Sequence, residues 1–186
     1  PVLCLVHKDW VVAHVSTHIS LREACERAKK ERILKTATLL NDFLIRYKKV
    51  KTPCLGIAGL NPHAGEGGLF GTEEIEEIIP AVRELKKKKI KAEGPFPGDV
   101  IFPKLRSGAF DGVVAMYHDQ GHIVTKTLLF QLGQVKKTGG VNTTLGLPVI
   151  RTSVDHGTGF DIAWQGIADA NSLKDALELA ECLALD

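Results

Sequence analysis

Gly112-Val113-Val114-Ala115-Met116-Tyr117-His118-Asp119-Gln120 changes from apolar to polar in one step. An apolar run with no polar face reads as a strand covered on both sides, the kind found inside a parallel sheet. Polar groups just beyond the end of such a strand stand at the edge where open α/β sheets bind ligands.

The same pattern recurs upstream. Pro53 to Ala58 is a second short buried-type strand, and it runs into the glycine-rich loop Gly59 to Gly71. Thr72 with Glu73 to Glu77 then supplies an acidic first turn for a helix that continues to Lys86–Lys89. Ile90 to Glu93 is a strand, followed by a rigid turn over Gly94-Pro95-Phe96-Pro97-Gly98 and by Asp99. Nearer the start, Val2 to His7 and Trp10 to Val15 are apolar and β-branched around Lys8-Asp9, which predicts a hairpin. From Ser20 to Tyr47 apolar residues recur at helical spacing, with Ser20 and Glu23 as a capping box. Downstream, Gly121 to Leu132 is expected as helix, Gly133 to Gly140 as polar loop, Leu147 to Ser153 as strand and Ser172 to Leu185 as a final helix. The alternation defines an α/β fold with one principal layered structure.

Composition narrows the function. The chain has 186 residues, 44% hydrophobic and 25% charged, with a net charge of +2; mean hydropathy is near zero. Basic residues are scattered except at Lys86–Lys89, which suit a solvated helix end, so no nucleic-acid surface is expected. No apolar stretch approaches a membrane span. Four cysteines, Cys4, Cys25, Cys54 and Cys182, form no CxxC pair and read as reduced thiols of a cytoplasmic protein. Pro1 leads straight into a strand, so the chain is expected to be part of a longer polypeptide.

His18, His63 and His118 each lie where the chain changes direction, 45 and then 55 residues apart. Imidazole is the commonest metal ligand, and three ligands with an open fourth position mark a catalytic metal site. The spacing matches no local zinc motif, so any convergence has to come from the fold. Around His63, Asn61 to Gly68 combines a carboxylate, an imidazole and permissive glycines, but no Gly-Lys-Ser/Thr follows, which excludes a P-loop. After His118, Asp119 is suited to cap the following helix. Lys126, eight residues on, lies near the same helix face and suits an anionic substrate. His14 reads as a structural or supporting residue, and His7 and His122 carry no independent signal.

The run Val141-Asn142-Thr143-Thr144-Leu145-Gly146-Leu147-Pro148-Val149-Ile150-Arg151, continuing through Asp155-His156-Gly157-Thr158-Gly159-Phe160-Asp161-Ile162-Ala163, is the most specific. It resembles the carboxy-terminal part of the 4-hydroxythreonine-4-phosphate dehydrogenase family of vitamin B6 biosynthesis. Its His-Gly-Thr-Gly-Phe-Asp-Ile-Ala segment is similar to the cofactor loop of isocitrate and isopropylmalate dehydrogenases. The resemblance implies part of their three-layer α/β fold. Residues 1–140 would be a metal-binding, dimerising domain, and 141–186 a segment returning to a cofactor and substrate domain whose amino-terminal part lies outside this chain.

The resemblance also implies roles. His18, His63 and His118 match three metal ligands, with His118 reaching a partner's site in a homodimer. Lys126, Asn142 and Arg151 match contacts to a phosphorylated substrate, and Asp99 an acidic position near the metal. Asp155, His156, Gly157 and Thr158 would bind NAD, with NADP as the alternative. The implied reaction is NAD-dependent oxidation and decarboxylation of a phosphorylated hydroxy acid at zinc, magnesium or cobalt; imidazole favours zinc-like ions, and Asp99 with substrate oxygens favours harder ones.

Two departures bear on the substrate. The family's amino-terminal domain, with its substrate-binding His-Thr pair, has no counterpart here. The Gln134 to Thr138 loop is longer than in the biosynthetic enzyme, and Gly159-Phe160-Asp161 is closer to the branch acting on phosphorylated sugar acids of the D-threonate or D-erythronate type. A metal-dependent hydrolase would leave the His156 block unexplained. A catalytically silent, dimerising or metal-binding module is the remaining alternative. The residues leave the general base open.

Overall fold

The structure is a computed structural model that describes residues 1–129 and 140–185. The expected Gln134 to Thr138 loop lies outside the described residues, as do the end of the Gly121–Leu132 helix and most of the Gly133–Gly140 loop.

Among the described residues seven strands form one sheet in the order β4-β3-β5-β2-β1-β6-β7. They are β1 (Val2–His7), β2 (Trp10–His14), β3 (Cys54–Ala58), β4 (Lys91–Phe96), β5 (Gly112–Ala115), β6 (Val141–Leu145) and β7 (Thr152–Val154). The predicted hairpin is present, with Cys4 opposite Ala13 and His7 opposite Trp10. β2, β5, β3 and β4 are mutually parallel. β6 runs antiparallel to β1, and β7 antiparallel to β6.

Side-chain alternation sorts the sheet into two faces. Val11, Ala13, Leu55, Ile57, Val114 and Val141 belong to a core shared with α2 (Lys30–Lys48), α3 (Ile79–Lys87) and α6 (Asn171–Ala184). Val12, Ala58, Val113 and Ala115 pack with Ile101, Phe102 and Leu105 of α4 (Gly98–Arg106) and with Val124 of α5 (His118–Leu129). The result is the expected layered α/β architecture, with helices on both faces of a mixed sheet. Leu40, Leu44, Leu55, Ile57, Leu85 and Ile101 are fully buried, each worth about 1.5–3 kcal/mol.

The segment from Val141, expected to return to a domain outside the chain, runs along β1 in register from Val6–Val141 to Val2–Leu145. Among the described residues no helix is long and apolar enough to cross a membrane, and all four cysteines are free.

Several local expectations need correction. The helix expected over Ser20–Tyr47 is two helices, α1 (Leu21–Arg27) and α2, broken at Ala28–Lys29. Ser20 does cap α1, accepting the Glu23 N–H at 3.2 Å. The break is held from a distance, because Glu77 accepts the Lys30 N–H at 2.8 Å and the Lys29 ammonium at 3.0 Å. The acidic segment after Thr72 starts as a wide π-turn over Glu74–Ile78 before α3 begins. Gly94-Pro95-Phe96 is the end of β4 rather than a turn, and α4 follows directly. Of the predicted Leu147–Ser153 strand only Thr152 and Ser153 lie in a ladder, as part of β7; Gly146, at φ 76°, and Pro148 turn the chain first.

Candidate active site

The parallel strands β2, β3 and β5 end at one edge of the sheet, and the segments leaving them carry His18, His63 and His118. Hydrogen bonds lock these exits together. Ser16 donates its hydroxyl to the Met116 carbonyl at 2.9 Å. Gln120 clamps β3 to β5: its Oε1 accepts the Met116 N–H at 2.7 Å and its Nε2 donates to the Gly59 carbonyl at 2.8 Å. Arg32 of α2 donates to the Val15 carbonyl at 2.8 Å. Gln120 is a site residue whose role sequence reading missed, since its partner is 61 positions away.

His63 sits in an unusual backbone. His63, Ala64, Gly65, Glu66 and Gly67 have φ values of 52°, 52°, 81°, 43° and 67°, one continuous left-handed turn. Three of the five are not glycine, at a cost of roughly 1–2 kcal/mol each. Glu74, only 1% exposed, supports the turn. Its Oε1 accepts the backbone N–H groups of Leu60 and Asn61 at 2.7 and 2.8 Å, and its Oε2 accepts the Asn61 side-chain amide at 2.9 Å. A Cβ at Gly65 would stand 2.8 Å from Glu74 Oε2, so glycine is needed there for space as well as for conformation. Sequence reading treated Glu74 only as part of an acidic helix start.

The histidines share a second feature. His63 Nδ1 lies 3.0 Å from Glu66 Oε2, and His118 Nδ1 lies 2.7 Å from Asp119 Oδ1. A carboxylate on Nδ1 fixes the tautomer and leaves Nε2 to bind, an arrangement usual for metal-ligating histidine. Asp119 thus serves His118 rather than capping the helix. His18, in the left-handed region at φ 48°, faces His118 with ring centroids 5.4 Å apart. Between them opens a cleft of about 220 Å³ lined by Ser16, Thr17, His18, Leu21, Tyr117 and His118.

Convergence within one chain is incomplete. Among the described residues no group of three His, Cys, Asp or Glu side chains is placed to hold a metal ion. His18 and His118 come together; His63, on its own loop, does not complete a triad with them. The donor chemistry fits a divalent ion, but the ligand set is not closed by this chain alone. Asp99, exposed in the first turn of α4, joins no such group.

Behind His118 stand two further histidines. His122 stacks on His118 with centroids 3.7 Å apart and planes 9° from parallel, and His14 lies 4.8 Å beyond His122. Burial lowers the His14 pKa to about 3 and that of His122 to about 4, so both are neutral near pH 7.

The substrate and cofactor candidates lie along α5, on β6 and on either side of β7. Asn142 and Thr144 point to the sheet face that carries α5, where Arg151 Nη1 donates to Asn142 Oδ1 at 3.2 Å and Thr144 Oγ1 at 3.3 Å. Lys126 Nζ donates to the Asp155 carbonyl at 3.2 Å. Burial raises the Asp155 carboxyl, while Lys126, His156 and His118 pull it back down. His156, Gly157 and Thr158 are exposed. Val154 is level with Val141, and Val141 with Val6, so the Asp155–Thr158 segment leaves the sheet at the end opposite the histidine edge. One chain therefore brings Asn142 to Arg151 and Lys126 to Asp155, with Asp155 within electrostatic reach of His118.

Comparison with known proteins identifies the family. A family model described as the pyridoxal phosphate biosynthetic protein PdxA matches residues 1–180. The D-threonate 4-phosphate dehydrogenase of Cupriavidus necator is 49% identical over 98% of this chain and 53% of its own length. The 4-hydroxythreonine-4-phosphate dehydrogenase of Desulforapulum autotrophicum is 48% identical over 91% of this chain and 48% of its own. A solved 4-hydroxythreonine-4-phosphate dehydrogenase from Klebsiella pneumoniae superposes with a TM-score of 0.82 at 42% identity, covering 98% of this chain and 54% of that one. The chain spans about half the length of these relatives, and by sequence and by fold it belongs to the PdxA family.

Proposed function

We propose that this chain supplies the metal ligands and phosphate contacts of an NAD-dependent dehydrogenase acting on a phosphorylated hydroxy acid, in a homodimer whose sites are shared between subunits. The observation that carries the reading is the pairing of carboxylates with the Nδ1 atoms of His63 and His118 at one strand edge, which leaves both Nε2 atoms to bind. A divalent ion held by the histidines would supply Lewis acidity toward the substrate's oxygens, and NAD held by Asp155 to Thr158 would supply a hydride acceptor.

His18 and His63 would bind the ion in one subunit, with His118 donated from the other. Support for sharing comes from the apolar rim of this edge: Leu69, Phe70, Ile75 and Ile123 are 72%, 46%, 47% and 63% exposed, more than a solvated edge would carry. Lys126 and Arg151 would hold the phosphate, Arg151 with a planar fork already oriented by Asn142 and Thr144. Asp155, His156, Gly157 and Thr158 would meet the cofactor. Exposed Phe160 and Trp164 beside them support packing of that segment against further polypeptide.

Two substrates fit the class, a 4-phosphohydroxy-L-threonine and a D-threonate 4-phosphate; relatives of both names match at nearly equal identity. NAD reduction by the full-length gene product with each acid decides between them. Loss of turnover and of bound metal on His18→Ala or His63→Ala is expected; unchanged metal content in both would overturn the ligand assignment.

A further inference from the structure

His14 and His122 have no part in the chemistry just described, yet they complete an unbroken column of imidazoles. It runs from His14, 1% exposed in β2, through His122 and His118 to His18 at the cleft. Helix geometry brings positions 118 and 122 onto one face but does not make their rings parallel. Here they are parallel within 9° and in contact at 3.7 Å. The His122 ring is held on its own account, with Nδ1 2.9 Å from the His118 carbonyl. His14 backs it from the strand side. His14 is itself buried, with Nδ1 3.4 Å from the Leu3 carbonyl and, among the described residues, no hydrogen-bond partner for Nε2. The first turn of α5 is pressed so closely onto it that a Cβ at Gly121 would collide with His14 Nε2 and come within 2.9 Å of Val12 Cγ1.

An imidazole buried with an unsatisfied nitrogen costs free energy that an apolar ring of the same shape would not. A flat plate behind His118 explains the stacked geometry. We propose that His122, backed by His14, is a positioning residue that sets the ring plane of His118 and hence the direction of its free Nε2. Asp119 fixes which nitrogen is free; His122 fixes where it points. The inference rests on the reading that His118 is a metal ligand.

The test uses Co²⁺ as probe on the full-length gene product, reading affinity by calorimetry and ligand geometry by the visible absorption band. His122→Ala is expected to weaken Co²⁺ binding by roughly 10–100-fold, the usual effect of losing an outer support, and to change the band. His122→Phe, which keeps the plate, is expected to restore both. Wild-type affinity and spectrum in His122→Ala, with binding lost in His118→Ala, would overturn the positioning role and leave the ligand assignment standing. Undiminished binding in His118→Ala would overturn the ligand assignment and this inference with it. Should His122→Ala fail to fold, His122→Phe decides: a wild-type band supports the plate, and a weakened, altered one overturns it.

Discussion

Glu74 holds Asn61 twice, accepting its backbone N–H on Oε1 at 2.8 Å and its side-chain amide on Oε2 at 2.9 Å. These contacts pin the entry to the left-handed turn that carries His63. Glu74→Ala would leave the Leu60 and Asn61 N–H groups without their acceptor, at about 1–3 kcal/mol for each buried group. Glu74→Gln would keep an acceptor on one side but set an NH₂ against the Asn61 amide. Both variants are expected to lower the denaturant midpoint, Ala by the equivalent of at least about 2 kcal/mol and Gln by less. An unchanged midpoint in Glu74→Ala would remove Glu74 from this role.

Glu77 caps a helix that it does not belong to. The Lys30 N–H, and to a smaller extent Lys29, hold its carboxyl below the usual carboxylate range. Its stabilisation is therefore present above the unfolded-state pKa and is lost as pH falls through the depressed folded value. Glu77→Ala is expected to cost about 1 kcal/mol at neutral pH, the usual worth of a cap. The difference from wild type should vanish in strongly acidic solution, as followed by urea unfolding across pH; a constant difference would contradict the cap.

His14 gives the opposite kind of titration. Its folded pKa of about 3 lies below the ordinary imidazole value of 6.5, so the unfolded chain binds the extra proton. Stability should be intact above pH 6.5 and decline as pH falls toward about 3, by a few kcal/mol in all. His14→Phe is expected to flatten that part of the profile. A profile as steep as wild type between those limits would mean that His14 is protonated in the native protein.

Gly94 sits at φ 137°, with no room for a Cβ against the Ile57 carbonyl. Gly94→Ala combines backbone strain with a clash inside the β3–β4 ladder, and a loss of about 3 kcal/mol or more is expected. Thermal unfolding measures it, and a shift of only one or two degrees would contradict the close approach.

What was legible in the sequence follows from locality. β1, β2, β3 and β5 are apolar runs bounded by turn residues, and their burial needs no distant partner to be foreseen. The positions of His18, His63 and His118 beyond strand ends were equally readable. The break at Ala28–Lys29 was not, because what stabilises it is Glu77 in another element. Gly94-Pro95 read as a turn because the two residues favour one locally, whereas they form an irregularity in the β3–β4 ladder, between the Gly56–Glu93 and Ala58–Phe96 pairs. The exit of the chain from β7 at the sheet end opposite the histidines depends on β7 running antiparallel to β6, a pairing no local pattern announces.

The left-handed turn over His63–Gly67 also bears on the order in which the molecule assembles. Its residues disfavour that conformation in isolation, and its support comes from Glu74, beyond the turn in sequence and buried only once the π-turn has docked. The His63 arm therefore belongs to the late steps of folding. Substitutions in it should leave the refolding rate nearly unchanged and appear in the unfolding rate, the expected mark of an arm that closes late.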